Sequence, residues 1–518
     1  MIPFETNIRL SHSQIWETQR EFFTAKGVNA WNGQVPFYIT SNPRIAHTYA
    51  ELIIRYWQDQ IALNNNTTTE PFYIVELGTG TGQFSFYCLQ KLCELRDVYG
   101  LKNLKFCYVM TDFTNANVSF WEKHPQLLPY LDQGILDFAI FDGERSTEIT
   151  LLNQAITLKN HDIINPLVVI GNYLFDTLLQ DVFCIKNNIL HEALVNTSTL
   201  QNNLVNGKLT ALQDIDTRFE YRAIDASGYY PNPLLNQILS VYPAAFKNGH
   251  FLFPTGGFTA LHTLQNLSND QMLLLSTDKG YSELSELEER GSPSVVCHGS
   301  LSMNVNFHAI GEYFIQQGGD VFHQTIRDAI RSCAFTLGAT FKDLPRTHQT
   351  MIDLFEGFSP GDYFNLHRHF RETTTIQLKT LLSHLALSHW DPYLFSVFIE
   401  KLTAEVPKLS ATLKQGVIEN ICEHVLSQIY LLPGSQDHYF NAGLLLHKLE
   451  RYGLAIECYQ YSMDYQMEHF NAQYNQALCW HALHNKEAAM RHFERAKLLE
   501  KDGTKAQQWI DHLNAQSV

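Results

Sequence analysis

The chain has 518 residues, a formal net charge of -16 and a hydrophobic fraction of 45%. This length is enough for about three domains of roughly 150 residues each, and the apolar fraction supports a large core. The acidic balance argues against a general nucleic-acid binder, which would present a basic face, and it leaves basic protein segments as potential partners.

The sequence contains no targeting or membrane signal that we recognise. No apolar run reaches the 18 residues that indicate a membrane-spanning helix, and residues 1–19 lack the apolar segment of a secretory signal. The 9 cysteines form no C-x-x-C pair and resemble small core residues of a reducing compartment. We therefore expect a cytoplasmic protein with no membrane contact. We also expect no metal site, because no cysteine or carboxylate completes a ligand set around His367 and His369.

The N-terminal part predicts an α/β fold. Residues 14–62 are expected to be mostly helical, and strand and helix signals then alternate. The predicted strands are 73–77, 105–111, 135–141, 166–171 and 271–276, and the predicted helices are 82–97, 115–124 and 147–160. Such alternation favours a mostly parallel sheet with helices on both faces. Ligands bind such a sheet beyond the carboxyl ends of its strands.

Two further regions complete the predicted organisation. Residues 183–270 interrupt the alternation with hairpin-like pieces and Asn-, Pro- and Gly-rich loops, which predicts an inserted subdomain on the substrate side. From about residue 371 the pattern is entirely helical. The prediction is therefore a domain of residues 1–370 containing this insertion, followed by a helical domain of residues 371–518.

A 34-residue repeat covers residues 437–504 of the helical domain. The matched pairs are Asn441 with Asn475, Leu444 with Leu478, His447 with His481, Ala455 with Ala489, and Tyr459 with Phe493. Small residues, Gly443 and Ala477, fall at equivalent positions, where paired helices pack closely. The pattern resembles two tetratricopeptide repeats, and the alternative is plain helical hairpins that cap the first domain.

A glycine-rich segment, residues 73–85, is the most informative stretch. An apolar run ends in Glu76, glycines alternate at Gly78, Gly80 and Gly82, and a helical pattern follows. Alternating glycines permit left-handed backbone angles and a close approach of the chain to a ligand. The free N–H groups at the helix start favour an anionic or polar ligand edge.

Three ligand classes use such a loop. A phosphate-binding loop needs Gly-Lys-Ser/Thr at its end, whereas this loop continues Gly82-Gln83-Phe84. A dinucleotide fingerprint needs a glycine at position 83. The remaining pattern, an acidic residue followed by alternating glycines, resembles motif I of S-adenosylmethionine-dependent methyltransferases; an ordinary glycine turn is the alternative. The resemblance assigns Glu76, Gly78, Thr79, Gly80 and Gly82 to S-adenosyl-L-methionine.

Further segments resemble the MidA family of methyltransferases, which is related to the mitochondrial complex I assembly arginine methyltransferase. The segments are residues 37–45, 169–176, 275–281 and 304–310, with 359–364 as the last strand, and their order and spacing agree with the family over residues 37–367. The resemblance implies a Rossmann-like methyltransferase domain that binds S-adenosyl-L-methionine and methylates arginine in a protein.

Four polar residues after the predicted strands are candidate site residues. Asp176 would hold a guanidinium acceptor, with a helix cap as the alternative, and Asn172 would face the cofactor methionine or the acceptor. Asp112 would accept both ribose hydroxyls, as in dinucleotide folds, unless it is a solvated turn residue. Asp142 would accept from the adenine amine, unless it only forms an Asp-Gly turn.

Two departures from the family pattern bear on the acceptor. Tyr173 stands where the family has a glutamate, and Lys279 stands where it has a tyrosine. The missing glutamate leaves the carboxylate pair for a guanidinium incomplete, which weakens the prediction of arginine but not that of the cofactor.

The leading hypothesis is a methyltransferase whose repeats recruit a protein partner or substrate. One rival is a small-molecule methyltransferase whose repeats serve only for dimerisation, which would make it a homodimer. The other rival is an inactive scaffold that keeps the cofactor-binding fold for its shape.

Overall fold

The computed structural model describes residues 1–31, 38–64, 69–297, 300–373, 376–501 and 504–515. Phe37, the first residue of the first family-like segment, lies outside these residues. The chain divides into two compact units, Met1–Leu366 and His367–Val518. No helix of the described ranges is long and apolar enough to cross a membrane.

The first unit contains many strands and fewer helices. Its strands are β1 (Ile2–Ile8), β2 (Phe72–Glu76), β3 (Phe106–Asp112), β4 (Leu136–Ile140), β5 (Ile149–Leu151), β6 (Ile156–Leu158), β7 (Leu167–Ile170), β8 (Asp181–Lys186), β9 (Ile189–Thr199), β10 (Leu204–Val205), β11 (Lys208–Leu209), β12 (Asp216–Ala223), β13 (Asn248–Phe253), β14 (Met272–Tyr281), β15 (Val296–Cys297), β16 (Leu301–Ser302), β17 (Val305–Asn306), β18 (Asp320–His323) and β19 (Ile330–Leu337). The α-helices that begin in it are α1 (Gln14–Lys26), α2 (Pro43–Asn64), α3 (Gln83–Val98), α4 (Asn115–Trp121), α5 (Leu128–Asp132), α6 (Pro233–Ala245), α7 (Thr255–Leu267), α8 (Phe307–Ile315), α9 (Pro345–Met351) and α10 (Pro360–Glu372).

The central sheet has the strand order β4-β3-β2-β7-β14-β19-β18, and β17 pairs with the end of β14. The strands from β4 to β14 are parallel, whereas β19 runs antiparallel to both of its neighbours. Counted along the chain, the first five strands take the order 3-2-1-4-5 of doubly wound sheets. The predicted α/β fold with a mostly parallel sheet is confirmed.

Helices cover both faces of this sheet. The strands β2, β3 and β7 are buried along their whole length, as expected of parallel strands packed on two sides. Trp57 of α2 packs its ring against Phe72 and Phe106, at centroid distances of 5.6 and 5.4 Å. The alternate residues of these strands point to the other face of the sheet. There they form one apolar cluster with residues of α6, α7 and α8.

The helix predicted over residues 147–160 is wrong. That segment is the hairpin β5–β6, in which Ile149 and Leu151 are buried and Thr150 between them is exposed. The buried carboxylate of Asp137 fixes the turn by accepting from the N–H groups of residues 153 and 154, at 2.8 and 3.0 Å. This contact with a residue distant in the sequence favours the hairpin, although the segment itself shows only a weak alternation of apolar and polar residues.

The strand predicted over residues 359–364 is also wrong, because a helix start occupies it. Pro360 is the first residue of α10, a position that proline favours. The Ser359 hydroxyl accepts from the N–H of Asp362 at 3.1 Å, and the Asp362 carboxylate accepts from the N–H of Ser359 at 2.9 Å. This reciprocal capping box begins the helix. The antiparallel strands that end the sheet are β18 and β19.

A second, antiparallel sheet has the order β1-β9-β8-β13, with β12 on β9. Residues 181–253 supply four of its strands, and β1 from the N-terminal segment supplies the fifth. The Ser11 hydroxyl donates to Asp181 of β8 at 2.6 Å, which joins the N-terminal segment to this second sheet.

The described part of the second unit is helical beyond α10. Its helices are α11 (Leu378–Leu387), α12 (Pro392–Val397), α13 (Ile399–Glu405), α14 (Ala411–Asn420), α15 (His438–Lys448), α16 (Tyr452–Tyr465), α17 (Phe470–Ala482), α18 (Lys486–Leu499) and α19 (Thr504–Ala515). The repeat falls on α15–α16 and α17–α18, so each copy is a helix pair. That these pairs are tetratricopeptide repeats stays a prediction.

Gly443 tests the close packing within the first pair. A Cβ atom at this position would lie 2.8 Å from Cε1 of the buried Tyr459 ring, so we expect Gly443→Ala to destabilise the unit by about 1–3 kcal/mol. The control is Gly416→Ala in α14, where a Cβ meets nothing within 4 Å and alanine should stabilise by about 0.5–1 kcal/mol. Urea unfolding of both variants measures the difference; equal stability changes would contradict the packing argument.

Candidate functional site

A cavity of about 180 Å³ lies at the carboxyl ends of the parallel strands. Its lining includes most of the residues predicted for the site: Glu76, Gly78, Thr79, Asp112, Asp142, Asn172 and Asp176. Gly80 and Gly82 do not line it, although both have positive φ angles, +63° and +82°, and shape the loop behind it. The structure therefore brings together side chains that are 100 residues apart in the sequence.

The glycine loop connects β2 to α3 with its backbone against the cavity. Gly78 has a φ of +60°, and a Cβ there would lie 2.9 Å from Cδ1 of Leu174, another lining residue. The N–H of Thr79 donates to the carbonyl of Thr111 at 2.9 Å, which ties the loop to the neighbouring strand. The loop thus presents bare backbone to the cavity, and a side chain at Gly78 would fill part of it.

Glu76 is a buried carboxyl group in the cavity wall. One of its oxygens, Oε2, accepts hydrogen bonds from Ser85 of α3 and from the Tyr108 hydroxyl of β3, the latter at 2.7 Å. Burial raises the pKa of Glu76 to about 7, and these hydrogen bonds oppose the increase. A cationic ligand group beside Glu76 would favour its ionised form.

Asn172 lines the cavity and has one side-chain donor without a partner among the described residues. Its Oδ1 accepts from the Tyr49 hydroxyl at 2.8 Å and from the N–H of Thr277 at 2.9 Å, which fixes the orientation of the amide because a backbone N–H can only donate. Its buried Nδ2 finds no acceptor among the described residues. A buried donor without a partner is costly, so this group is suited to a ligand oxygen.

Asp112 lies at the end of β3 with its carboxylate already well bonded. It accepts from the N–H of Thr114 at 2.8 Å, from the Thr114 hydroxyl at 2.9 Å and from Asn117 at 2.8 Å, and the backbone N–H of Gly80 is a further donor. These donors occupy about four acceptor sites, which is the capacity of a carboxylate. A ribose contact would have to replace one of them, and it stays a prediction.

Asp142, after β4, is held by an arginine from the N-terminal helix. Arg20 pairs with its carboxylate, lies 3.5 Å from Glu144, and stacks over the Phe113 ring at 4.5 Å. Oδ1 of Asp142 also accepts from the N–H of Glu144 at 3.1 Å, so the turn role is present. The proposed adenine contact stays a prediction.

Asp176 lies in a turn after β7 and caps no helix of the described chain, because the next regular element is β8. Asp278 of β14 and Lys279 are close enough for electrostatic interaction with its side chain. Burial raises the pKa of Asp176, which the Lys279 charge opposes. Burial, and then the Asp176 charge, raise the pKa of Asp278.

Several lining residues were not predicted as site residues. They include Arg20, Phe23, Trp31, Phe113, Glu144 and Lys279. The first three belong to the N-terminal segment, for which the sequence offers no signal of proximity. Asp278 and Lys279 follow a predicted strand of the same sheet, so the rule that ligands bind at strand ends could have found both. Within the described ranges no group of three His, Cys, Asp or Glu residues is arranged to hold a metal ion.

Comparison with known proteins gives only distant likenesses. No protein-family model matches the sequence, and no curated protein matches it. Among solved structures, an uncharacterised COG1565 superfamily protein from Burkholderia thailandensis is 13% identical, with a TM-score of 0.38; the alignment covers 65% of this chain and 90% of that one.

Two other solved structures are also distantly similar. A COG1565 superfamily member from Burkholderia thailandensis, bound to S-adenosyl-homocysteine, is 12% identical with a TM-score of 0.38, covering 64% of this chain and 88% of that one. The selenomethionine-substituted CurJ carbon methyltransferase is 10% identical with a TM-score of 0.25, covering 64% and 69%.

The raised pKa of Glu76 predicts a pH-dependent stability. Its folded pKa of about 7 exceeds the unfolded value of about 4.3, so the stabilisation is complete below the unfolded pKa and is lost as the pH rises through the folded pKa. Relative to Glu76→Gln, the wild type should lose about 2–3 kcal/mol of unfolding free energy between about pH 5 and about pH 8. Urea unfolding at both pH values measures this.

The control is Glu122→Gln at an exposed position, where the difference from wild type should not change with pH. If the difference in unfolding free energy between wild type and Glu76→Gln is also independent of pH, Glu76 is ionised in the folded protein over the whole pH range tested.

Proposed function

We propose that this protein is an S-adenosylmethionine-dependent methyltransferase. The observation that carries the proposal is a single cavity that combines a bare glycine loop, the buried carboxyl of Glu76 and the unpartnered amide of Asn172. A zwitterionic amino-acid group matches this set, because a carboxyl group, an N–H donor and exposed backbone lie side by side.

The residues present fit such a cofactor at its amino-acid end. Glu76 would hold the ammonium group, and Asn172 Nδ2 would donate to the carboxylate. The backbone of Gly78 and Thr79 would lie against the chain between them. The bound cofactor supplies a methyl group on a positively charged sulfur, which leaves without acid catalysis. The protein's task is then to align the acceptor and to exclude water.

The adenosine end requires rearrangement of existing contacts. Asp112 is the carboxylate that would bind the ribose. Asp142 and Phe113 also line the cavity. The Asn117 hydrogen bond to Asp112, at 2.8 Å, joins two side chains, so a ribose hydroxyl can replace it without breaking the backbone contacts of Asp112.

The acceptor is proposed to be a protein side chain, with arginine as the residue that the family resemblance favours. Asp278, a buried carboxyl group on which the Asp176 charge acts, would provide the second carboxyl group that Tyr173 does not. A small-molecule acceptor is the second candidate, and it is favoured by Lys279, because an ammonium group in the lining would repel a guanidinium. An inactive scaffold remains the third alternative.

Cofactor binding is tested at Gly78. We expect S-adenosyl-homocysteine to bind the wild type with micromolar affinity, about -7 to -9 kcal/mol. Gly78→Ala should abolish detectable binding, because the added methyl group enters the cavity against Leu174. Isothermal titration calorimetry measures both.

The matched control is Gly134→Ala. Gly134 has a φ of +69° and open space around its missing Cβ, so this variant carries the same left-handed backbone cost, about 1–2 kcal/mol, without changing the cavity. If binding is lost in both variants, the cause is backbone strain. If binding is retained in both, the glycine loop is not part of the cofactor site.

The repeats are proposed to recruit the protein partner or substrate. A chain that ends at Glu372, the last residue of α10, keeps every strand of the central sheet. It should still bind S-adenosyl-homocysteine but lose most of the methylation that the full chain performs in a lysate supplied with isotope-labelled methyl donor. Full methylation by the shortened chain would show that residues 373–518 do not select the acceptor and would favour the small-molecule candidate.

A further inference from the structure

A group of tyrosines lies on the surface of the first helix pair, α15–α16. The ring centroid of Tyr439 in α15 is 5.3 Å from that of Tyr461 and 5.9 Å from that of Tyr465, both in α16, and the last two centroids are 6.3 Å apart. Tyr461 and Tyr465 nevertheless remain 47% and 45% exposed. Large side chains that stay exposed next to one another mark interaction sites, and tyrosine is enriched in protein interfaces.

The same face of α16 is acidic. Glu457 lies four residues before Tyr461 and Asp464 lies three residues after it, so these side chains are neighbours on the helix surface. Both acids are exposed, and α16 contains no lysine or arginine. We call this set the tyrosine surface; its residues are Tyr439, Glu457, Tyr461, Asp464 and Tyr465.

The acids and the exposed rings of this surface are not used by cations of the described chain. Neither Glu457 nor Asp464 forms an ion pair there, and Asp464 accepts one hydrogen bond, from the Gln460 amide at 2.7 Å. No described arginine or lysine is stacked over Tyr461 or Tyr465. Carboxylates and the faces of aromatic rings both attract cations, so the surface suits a cationic ligand.

The second helix pair, α17–α18, lacks this surface. The repeat aligns Glu457, Tyr461, Asp464 and Tyr465 with four residues of different chemistry, Arg491, Arg495, Leu498 and Leu499. Both pairs nevertheless bury the same positions of their second helix, namely Ala455 and Ala489, Tyr459 and Phe493, and Ser462 and Ala496. The tyrosines and acids are therefore not needed to pack a helix pair, which favours a role in binding.

We propose that the tyrosine surface docks an extended basic segment of a partner or substrate protein, in which one residue separates two arginines. An extended chain places alternate side chains on one side, about 6–7 Å apart, and this matches the 6.3 Å between the Tyr461 and Tyr465 rings. Each guanidinium is planar and permanently charged, so it can stack on one ring and pair with Glu457 or Asp464.

The net charge of the whole chain supports this class of ligand. A formal charge of -16 attracts basic segments and repels acidic ones at long range. The proposal deepens the recruitment assigned to the repeats and rests on the proposed function for the role of the docked protein. The docking itself requires no cofactor, so it can be measured separately.

Fluorescence anisotropy of the full chain tests the docking with defined probes. The main probe is a fluorescein-labelled peptide of glycine and serine that carries two arginines separated by one serine. We expect it to bind more tightly than the same peptide with two lysines, because an ammonium cannot stack and pair as a guanidinium does. Binding should weaken as salt is added.

Two further peptides test the charge and the spacing. A peptide with glutamate in place of both arginines should not bind. A peptide with two adjacent arginines has the same charge but places them on opposite sides of an extended chain, so it should bind more weakly than the main probe. Equal binding of either peptide and the main probe would overturn the proposal.

Variants of the two exposed tyrosines test the surface itself. The double variant Tyr461→Ala with Tyr465→Ala should bind the main probe about 5- to 30-fold more weakly, because two exposed cation–π contacts are lost. Tyr461→Phe with Tyr465→Phe keeps the ring faces and should bind within about twofold of wild type. Alanine favours helix at exposed positions, and circular dichroism checks the fold.

The matched control is Leu498→Ala, an exposed position on the second helix of the other pair, which should leave binding of the main probe unchanged. If the double alanine variant also binds as tightly as wild type, the tyrosine surface is not the docking site and the proposal is overturned.

Two measurements on the same proteins separate this proposal from its alternatives. Calorimetry with S-adenosyl-homocysteine distinguishes it from the proposed function: a chain that binds the main probe but not this ligand rejects only the methyltransferase, and the reverse result rejects only the docking surface. Sedimentation tests self-association. A wild-type dimer that the double alanine variant dissociates would show that a second copy of the chain covers the tyrosine surface, and it would overturn the proposal.

Discussion

The burial of polar groups at one edge of a parallel sheet is the constraint on which the site depends. The ladder places Glu76 beside Ile170 and Ile170 beside Leu275, so the polar residues that follow these strands converge. Once buried there, each must find a partner or change its protonation. Glu76 finds partners in Ser85 and Tyr108, whereas burial raises the pKa of Asp176 and of Asp278. Burial therefore shifts these carboxyl groups towards their neutral forms.

The sequence predicts the part of the site that follows strand order. Apolar runs of four or five residues define β2, β3 and β7, and a polar residue after each run marks the edge where ligands bind. This is why Glu76, Asp112 and Asn172 could be named from the sequence. The hairpin β5–β6 could not, because its turn is stabilised by Asp137 from another strand, and its apolar residues fit a helix as well as a strand.

The cavity-lining residues of the N-terminal segment could not be predicted from the sequence either. Arg20 and Trp31 lie more than 40 residues before the glycine loop, and they reach the cavity because the second sheet holds their segment beside the first. Arg20 then pairs with Asp142, where the sequence suggested a free carboxylate for a ligand. The position of a charged residue at a strand end can therefore be predicted from the sequence. Whether its charge is available to a ligand depends on its partner in the structure.

The carboxyl pair shows how far a local departure from a family pattern can mislead. Tyr173 replaces a glutamate, and in the sequence this leaves Asp176 alone. In the structure Tyr173 takes a left-handed φ of +46°, and Asp278 from the neighbouring strand occupies the position beside Asp176. The number of acid groups near Asp176 therefore depends on several segments of the chain and cannot be counted from one segment alone. Lys279, next to Asp278 in the chain, brings a compensating charge into the same place. The acceptor chemistry follows from the sum of these groups, and no single motif determines it.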